Sequence, residues 1–188
     1  TITKQQGLGS NNTGAAFQDS KGRIWTSKRG EGGDVINEKK GTMKHIDRQL
    51  GMTNNGITAF GEDKQHRLWF GTWNGGIMWL DENAGVIKQV SSEQGLFSRV
   101  LSFAFDEHDK LWIGSYGGGV YVFDEKNSTI KQLNTARGLN NNNVNTVYPD
   151  NHHQVWIGMH GGEGNIYNTA GGNIKHLSSS SGLSNKTS

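Results

Sequence analysis

The sequence repeats itself with a period of about 44 residues, and this period limits the folds open to the chain more than any other feature. Three kinds of residue recur at steps of 43 or 44 positions. They are Trp25, Trp69, Trp112 and Trp156; Asp19, Asp63, Asp106 and Asp150; and Gly7, Gly51, Gly95, Gly138 and Gly182, each followed by Leu or Met. Because three unrelated markers keep one period, the chain is predicted to be built from copies of one structural unit.

One repeat contains four short segments of β-forming residues separated by turn-forming residues. In the third repeat these segments cover residues 100–105, 110–115, 120–123 and 129–133. Four short strands within 40–45 residues are typical of one blade of a β-propeller. The sequence therefore predicts an all-β propeller segment over residues 1–188, with four complete four-stranded blades and the start of a fifth. The predicted repeats cover about 5–48, 49–92, 93–135 and 136–179, and residues 180–188 begin another.

Composition agrees with many short elements and excludes several classes of protein. The chain has 28 glycines among 188 residues, and glycine weakens helix and strand interiors, so most of them are expected in turns. A net charge of +2 without runs of like charge gives no electrostatic basis for binding nucleic acid. No apolar stretch is long enough to cross a membrane. The absence of cysteine excludes disulfides, zinc-thiolate sites and thiol nucleophiles.

The repeated tryptophans and aspartates have structural roles in this interpretation. Each Trp lies in the predicted second strand of its repeat, where a large ring fills the space between neighbouring sheets. Each Asp begins the first hairpin turn, where an aspartate side chain bonds its own backbone as an Asx turn. Four matched acids are therefore not evidence of catalysis, and no catalytic residue is predicted.

The repeat resembles that of the two-component regulator propeller family. The resemblance rests on the pattern Gly-Leu-x-x-Asn, then Asp-x-x-x-x-Leu-Trp-Ile-Gly-Thr-x-x-Gly-Gly. The second repeat carries it as Gly51-Met52-Thr53-Asn54-Asn55, Asp63, Leu68-Trp69-Phe70-Gly71-Thr72 and Gly75-Gly76. The resemblance implies a ligand-sensing module of an extracytoplasmic bacterial regulator, in the periplasm or outside the cell, often responding to carbohydrates. No cofactor is implied.

Two repeats depart from the pattern. The first repeat has Ser27-Lys28 where the second has Gly71-Thr72. The fourth repeat has Met159 at the position of Thr72. Propellers of this family usually contain more than four blades, so the resemblance favours a fragment of a longer propeller or a ring completed by self-association over a closed four-bladed monomer. A purely structural, self-assembling propeller stays open as an alternative.

Candidate ligand-binding residues lie in two sets of loops that a propeller brings to the same end of its sheets. The turn after each Trp strand and the link between blades vary in sequence while the scaffold positions do not, and such variable loops are where binding normally resides. The predicted ligand-binding residues are Arg29, Trp73, Tyr116 and His160 in the turns, and Asn11, Asn55, Arg99 and Asn142 in the links. Aromatic rings with Arg, Asn and His suit a small polar ligand such as a sugar.

Two other kinds of site receive less support. Streptogramin lyases are also propellers, and His160 with Glu163 is loosely similar to a general base with its orienting carboxylate. The histidines are scattered over turns of different repeats without a metal-binding spacing, so no metal site is predicted. His152 and His153 are expected to be solvated surface residues.

Overall fold

A computed structural model of the chain contains four four-stranded antiparallel sheets, each a simple meander. The structure describes residues 13–28, 30–53, 56–90 and 99–178. The chain divides into two compact units, Thr1–Phe97 and Ser98–Ser188, and each unit holds two of the sheets. No helix among the described residues is long and apolar enough to cross a membrane.

The strands follow one another in chain order within each sheet. In the first unit, the first sheet contains β1 (Thr13–Gln18), β2 (Ile24–Lys28), β3 (Gly32–Asn37) and β4 (Thr42–Ile46), and the second contains β5 (Ile57–Glu62), β6 (Leu68–Thr72), β7 (Ile77–Asp81) and β8 (Val86–Gln89). In the second unit, the third sheet contains β9 (Arg99–Phe105), β10 (Leu111–Tyr116), β11 (Gly119–Asp124) and β12 (Thr129–Leu133), and the fourth contains β13 (Val144–Pro149), β14 (Gln154–Met159), β15 (Gly164–Asn168) and β16 (Ile174–Leu177). Short 3₁₀ helices lie at Glu38–Lys40, Arg48–Leu50 and Thr135–Arg137.

These strands confirm the predicted four-stranded blades. The segments predicted for the third repeat agree with β9 to β12 within one residue at each end. The boundaries of the repeats themselves stay a prediction.

Each unit has an apolar core built around a tryptophan of its first sheet. In the first unit Trp25 packs with residues of the second sheet such as Ile57 and Phe70. In the second unit Trp112 packs with Val144 and Val155 of the fourth sheet. The predicted core role is therefore confirmed for both rings.

Trp156 is an exception among the four repeated tryptophans. Trp25, Trp69 and Trp112 are at most 3 % exposed, whereas Trp156 is 43 % exposed. Along β14 buried and more accessible residues alternate, while β6 is buried at every position. Since successive residues of a strand face opposite sides of the sheet, β6 is covered on both faces and β14 on one. The ring of Trp156 therefore lies on an uncovered sheet face.

One carboxylate closes each first hairpin. In the second sheet Oδ1 of Asp63 accepts a hydrogen bond from the backbone N of Arg67, and its Oδ2 accepts one from the indole Nε1 of Trp69. The same two bonds recur at Asp19, Asp106 and Asp150. In the fourth sheet the bond from Trp156 is the largest of the influences that hold the pKa of Asp150 below its usual range. The predicted Asx turns are present, and the bond to the tryptophan is an addition that the sequence did not reveal.

Candidate ligand-binding site

Tyr116 and Arg99 form an exposed aromatic and cationic pair in the third sheet. Tyr116 ends β10 and Arg99 begins β9, and the two residues lie opposite each other in the strand register. A bulge between the Ser102 and Val100 pairings makes them partners, since it adds one residue to β9. The guanidinium carbon of Arg99 lies 5.7 Å from the ring centroid of Tyr116, and the tyrosine is 50 % exposed.

Backbone hydrogen bonds hold the loop after Tyr116 in one conformation. The backbone N atoms of Gly117 and Gly119 both donate to the carbonyl oxygen of Asn142, at 3.1 and 2.8 Å. The hydroxyl of Ser115 donates to the carbonyl oxygen of Gly119 at 2.9 Å. The turn after the Trp strand is thus tied to the link that leads into the next sheet. In the second unit, the turn after the Trp strand and the link between blades therefore lie together, as predicted.

Asn142 contributes its backbone to this loop and its side chain to another turn. Its amide oxygen accepts a hydrogen bond of 2.9 Å from the backbone N of Thr135, which begins a 3₁₀ helix. The side-chain amide of Asn142 therefore stabilises this turn. Among the predicted residues of the second unit, Arg99, Tyr116 and His160 have exposed side chains.

His160 lies next to the same link. Its backbone N donates to the carbonyl oxygen of Asn143 at 2.9 Å, and its side chain is exposed. Within the part of the chain that the structure describes, no hydrogen bond or ion pair joins the side chains of His160 and Glu163, and Glu163 meets Met159 through its backbone. The geometry gives no support to the general base that the resemblance to streptogramin lyases implied.

The remaining predicted residues belong to the first unit. Trp73 is 44 % exposed, and its backbone N donates to the carbonyl oxygen of Gly56 at 2.8 Å, so here too the turn is tied to the link. Asn11, Arg29 and Asn55 lie outside the described residues.

Glutamines of the fourth strands donate hydrogen bonds to the same loops, and they were not among the predicted residues. Nε2 of Gln132 donates to the carbonyl oxygen of Gly118 and to the hydroxyl of Tyr121, at 2.9 and 3.1 Å. Nε2 of Gln89 donates to the carbonyl oxygen of Gly75 at 2.7 Å. A signal was present, because Gln89 and Gln132 lie 43 residues apart in sequence.

The first sheet replaces this glutamine with a buried charged cluster. Asp34 is fully buried, and its Oδ1 lies 3.3 Å from Nζ of Lys28, whose side chain is 7 % exposed. Nδ1 of His45 contacts the same oxygen. Lys28 departs from the repeat pattern, since the second sheet has Thr72 at the same position. Its partner Asp34 departs as well, because it lies where the second sheet has Met78.

Comparisons with solved structures establish the fold of the chain. The chain superposes on extracellular domains of B. thetaiotaomicron proteins. One is BT4673, described in one structure as a putative one-component system, with a TM-score of 0.79 and 22 % identity over 94 % of this chain and 27 % of that one. A second structure describes BT4673 as a putative hybrid two-component system, with a TM-score of 0.81 and 20 % identity over 94 % of this chain and 26 % of that one. Another is the hybrid two-component system BT3049 (TM-score 0.75, 20 % identity, 93 % and 24 %). At these identities the likeness shows the fold, and the chain is a β-propeller segment.

A family model matches two of the repeats. The family model described as the two-component regulator propeller matches residues 51–74 and 138–161. These two segments therefore match the repeat of the two-component regulator propeller family, in agreement with the sequence resemblance. No protein of curated function matches the sequence significantly. The chain spans about a quarter of the length of the solved structures named above.

Proposed function

We propose that this chain is the ligand-recognition part of an extracytoplasmic bacterial sensor, and that the loops around Tyr116 bind a carbohydrate-type ligand. The location is supported by the similar structures, which are extracellular domains of one-component and two-component systems. In this proposal the bound ligand changes the packing between domains or protomers, and the signal leaves through a segment outside the 188 residues.

The observation that carries the proposal is the exposed ring of Tyr116 beside the Arg99 guanidinium. An exposed aromatic face on a loop that is already ordered loses little conformational entropy when a sugar ring stacks on it. Arg99 adds a cation and several hydrogen-bond donors, and a guanidinium matches the geometry of a carboxylate. The pair therefore favours an acidic sugar over a neutral one. His160 offers a further polar group beside the same link.

A melting experiment with two probes tests the ligand class. Digalacturonic acid and cellobiose are both disaccharides, and only the first carries carboxylates. A ligand that binds the folded state raises the melting temperature, and the rise grows with the logarithm of its concentration relative to its Kd. We expect digalacturonic acid to raise it more than cellobiose does, and Arg99→Gln to remove the difference. A melting temperature that neither probe moves at millimolar concentration contradicts the proposal.

A second proposal concerns the exposed face of the fourth sheet. Trp25 and Trp112 are each covered by the next sheet of their unit, while Trp156 is 43 % exposed. We propose that another blade-type sheet covers Trp156, and that in the isolated chain this sheet belongs to a second copy. Exposed apolar sheet faces of this kind are common sites of association.

Light scattering on the 188-residue chain tests the second proposal. We expect a mass above that of one chain at micromolar concentration, and Trp156→Ser should shift the mass towards the monomer. Tyr148 pairs with Trp156 across β13 and β14 and shares its exposed face, so the control is Val86→Ser, which changes an exposed apolar residue of the second sheet. A monomer at every concentration contradicts self-association.

A further inference from the structure

Two neighbouring hairpins of the second unit bring a carboxylate and two imidazoles together. Glu107 and His108 lie in the turn between β9 and β10, and His153 lies in the turn between β13 and β14. Oε1 of Glu107 is 2.5 Å from Nδ1 of His153 and 3.6 Å from Nε2 of His108. One ligand atom from each of the three residues lies within 4.8 Å of the other two. All three side chains are exposed, so water and solutes reach them.

The backbones that carry these side chains are fixed by the repeated aspartates. Oδ1 of Asp106 accepts hydrogen bonds from the backbone N atoms of His108 and Lys110, both at 2.9 Å. Oδ1 of Asp150 does the same in the other turn, where His153 has a φ of 58°. Only side-chain rotamers therefore have to be ordered when a ligand joins the three groups, which lowers the entropic cost of binding.

A second set of bonds holds the turn that carries His153. The carbonyl oxygen of His153 accepts hydrogen bonds from the backbone N and the hydroxyl of Thr169, at 2.8 and 3.1 Å. These bonds tie the turn to the hairpin between β15 and β16. His152, the residue before it, is exposed and outside the cluster.

We propose that Glu107, His108 and His153 form a zinc site that joins the two hairpins. Zinc binds histidine nitrogen and carboxylate oxygen at about 2.0–2.2 Å, and tetrahedral ligands at that distance lie about 3.4 Å from one another. The 3.6 Å separation of Glu107 and His108 already fits this value, and the contact to His153 has to open by about 1 Å. Three protein ligands leave the fourth position to water.

The donor set also selects the metal. Imidazole nitrogen suits zinc and neighbouring transition metals, whereas calcium and magnesium require a shell of oxygen ligands. With one carboxylate and two imidazoles, the cluster has too few oxygens for calcium. Calcium is therefore the cation that should fail to bind, and it serves as the negative control.

Isothermal titration of Zn²⁺ into the 188-residue chain, with any polyhistidine tag removed, tests the site. We expect one zinc ion per chain. Because loss of a group that only orients a ligand weakens binding about 10–100-fold, loss of a direct ligand in His108→Ala or His153→Ala should cost at least about tenfold. The matched control is His152→Ala, which removes the adjacent histidine of the same turn and should leave the affinity unchanged within about twofold.

A spectroscopic readout separates a defined site from loose surface binding. Co²⁺ in a tetrahedral site of nitrogen and oxygen ligands gives strong visible absorption, which we expect for the wild type and for His152→Ala but not for His153→Ala. Circular dichroism checks that each variant is folded. Equal zinc affinity in His152→Ala and His153→Ala, or no zinc binding by the folded wild type, overturns the proposal.

Discussion

In the hairpin between β5 and β6, the indole Nε1 of Trp69 donates a 2.8 Å hydrogen bond to Oδ2 of Asp63. The other carboxylate oxygen of Asp63 accepts from the backbone N of Arg67, and the Arg67 guanidinium lies over the Trp69 ring. One buried side chain thus closes the turn and fixes the orientation of a core ring. Each repeat uses this bond at one end of its sheet, which leaves the loops at the other end free to vary.

Removal of this carboxylate should destabilise the first unit. Asp63→Ala leaves a buried indole N–H without its acceptor, which costs about 1–3 kcal/mol of the free energy of unfolding. Asp150→Ala removes the same bond from the half-exposed Trp156, where water replaces the acceptor, so its effect should be smaller. Urea denaturation monitored by tryptophan fluorescence measures both. Equal losses in the two variants would contradict this role of burial.

The buried ion pair of the first sheet should behave as a coupled unit. Lys28→Thr leaves the buried Asp34 carboxylate with His45 but without its lysine, so the loss should be at most about 3–5 kcal/mol, which is the cost of breaking a buried pair. The double variant Lys28→Thr with Asp34→Met carries the residues of the second sheet at these positions and should recover most of the lost stability. A double-mutant cycle from chemical denaturation measures the coupling. Additive losses would show that the two residues act independently.

Acid should weaken the contact between the first and second sheets. Burial raises the pKa values of Asp19 and Glu82, but hydrogen bonds outweigh it and hold both pKa values below the usual range. The bonds come from Trp25 and Arg23 to Asp19, and from Lys21 and Arg23 to Glu82. Groups with a lowered folded-state pKa stabilise the protein above their unfolded pKa, about 4, and lose that contribution as the pH falls through the folded value.

The test of this pH dependence is a series of melting curves between pH 7 and pH 3. The melting temperature of the wild type should fall below about pH 4. Glu82→Gln should lower it at neutral pH and make the acid decline shallower, because one of the titrating groups is gone. If Glu82→Gln lowers the melting temperature by the same amount at every pH, so that its fall in acid is as steep as that of the wild type, Glu82 has no role in acid sensitivity.

The loop after Tyr116 requires glycine at one position more than at another. Gly119 has a φ of 77°, and a Cβ there would lie 2.2 Å from the carbonyl oxygen of Leu133. Gly117 also has a positive φ, but its Cβ would meet nothing within 4 Å. Gly117→Ala should therefore cost about 1–2 kcal/mol of backbone strain, and Gly119→Ala clearly more. Thermal denaturation compares them, and similar losses would rule out the backbone clash.

Local patterns in the sequence were enough to predict the blades, the Asx turns and the burial of Trp25 and Trp112, because each depends on residues within one repeat or on the repeat that follows. The exposure of Trp156 could not be predicted, since it depends on what covers the far face of its sheet. The approach of His108 to His153 was missed for a related reason. Side chains from two hairpins, 45 residues apart, meet only after the sheets pack.

The grouping of the candidate residues was predicted in part, and their role in binding stays a prediction. The offsets selected Tyr116, Arg99 and His160, and the structure places Tyr116 against Arg99 and ties both loops to one link. The same offsets selected Asn142, but they could not show that its amide is bonded to Thr135. Equal spacing from a repeated residue predicts where the backbone of a loop residue lies in its repeat. It does not predict which group the side chain of that residue bonds.

The most direct test of ligand recognition at Tyr116 is calorimetric titration of digalacturonic acid into three forms of the chain. These are the wild type, Tyr116→Ala, and Tyr148→Ala as a matched loss of another exposed tyrosine of the second unit. Truncation of an aromatic anchor costs more than about 1.4 kcal/mol, or tenfold in affinity. We predict that weakening for Tyr116→Ala and wild-type affinity for Tyr148→Ala. Equal affinity of Tyr116→Ala and the wild type would contradict recognition at this loop.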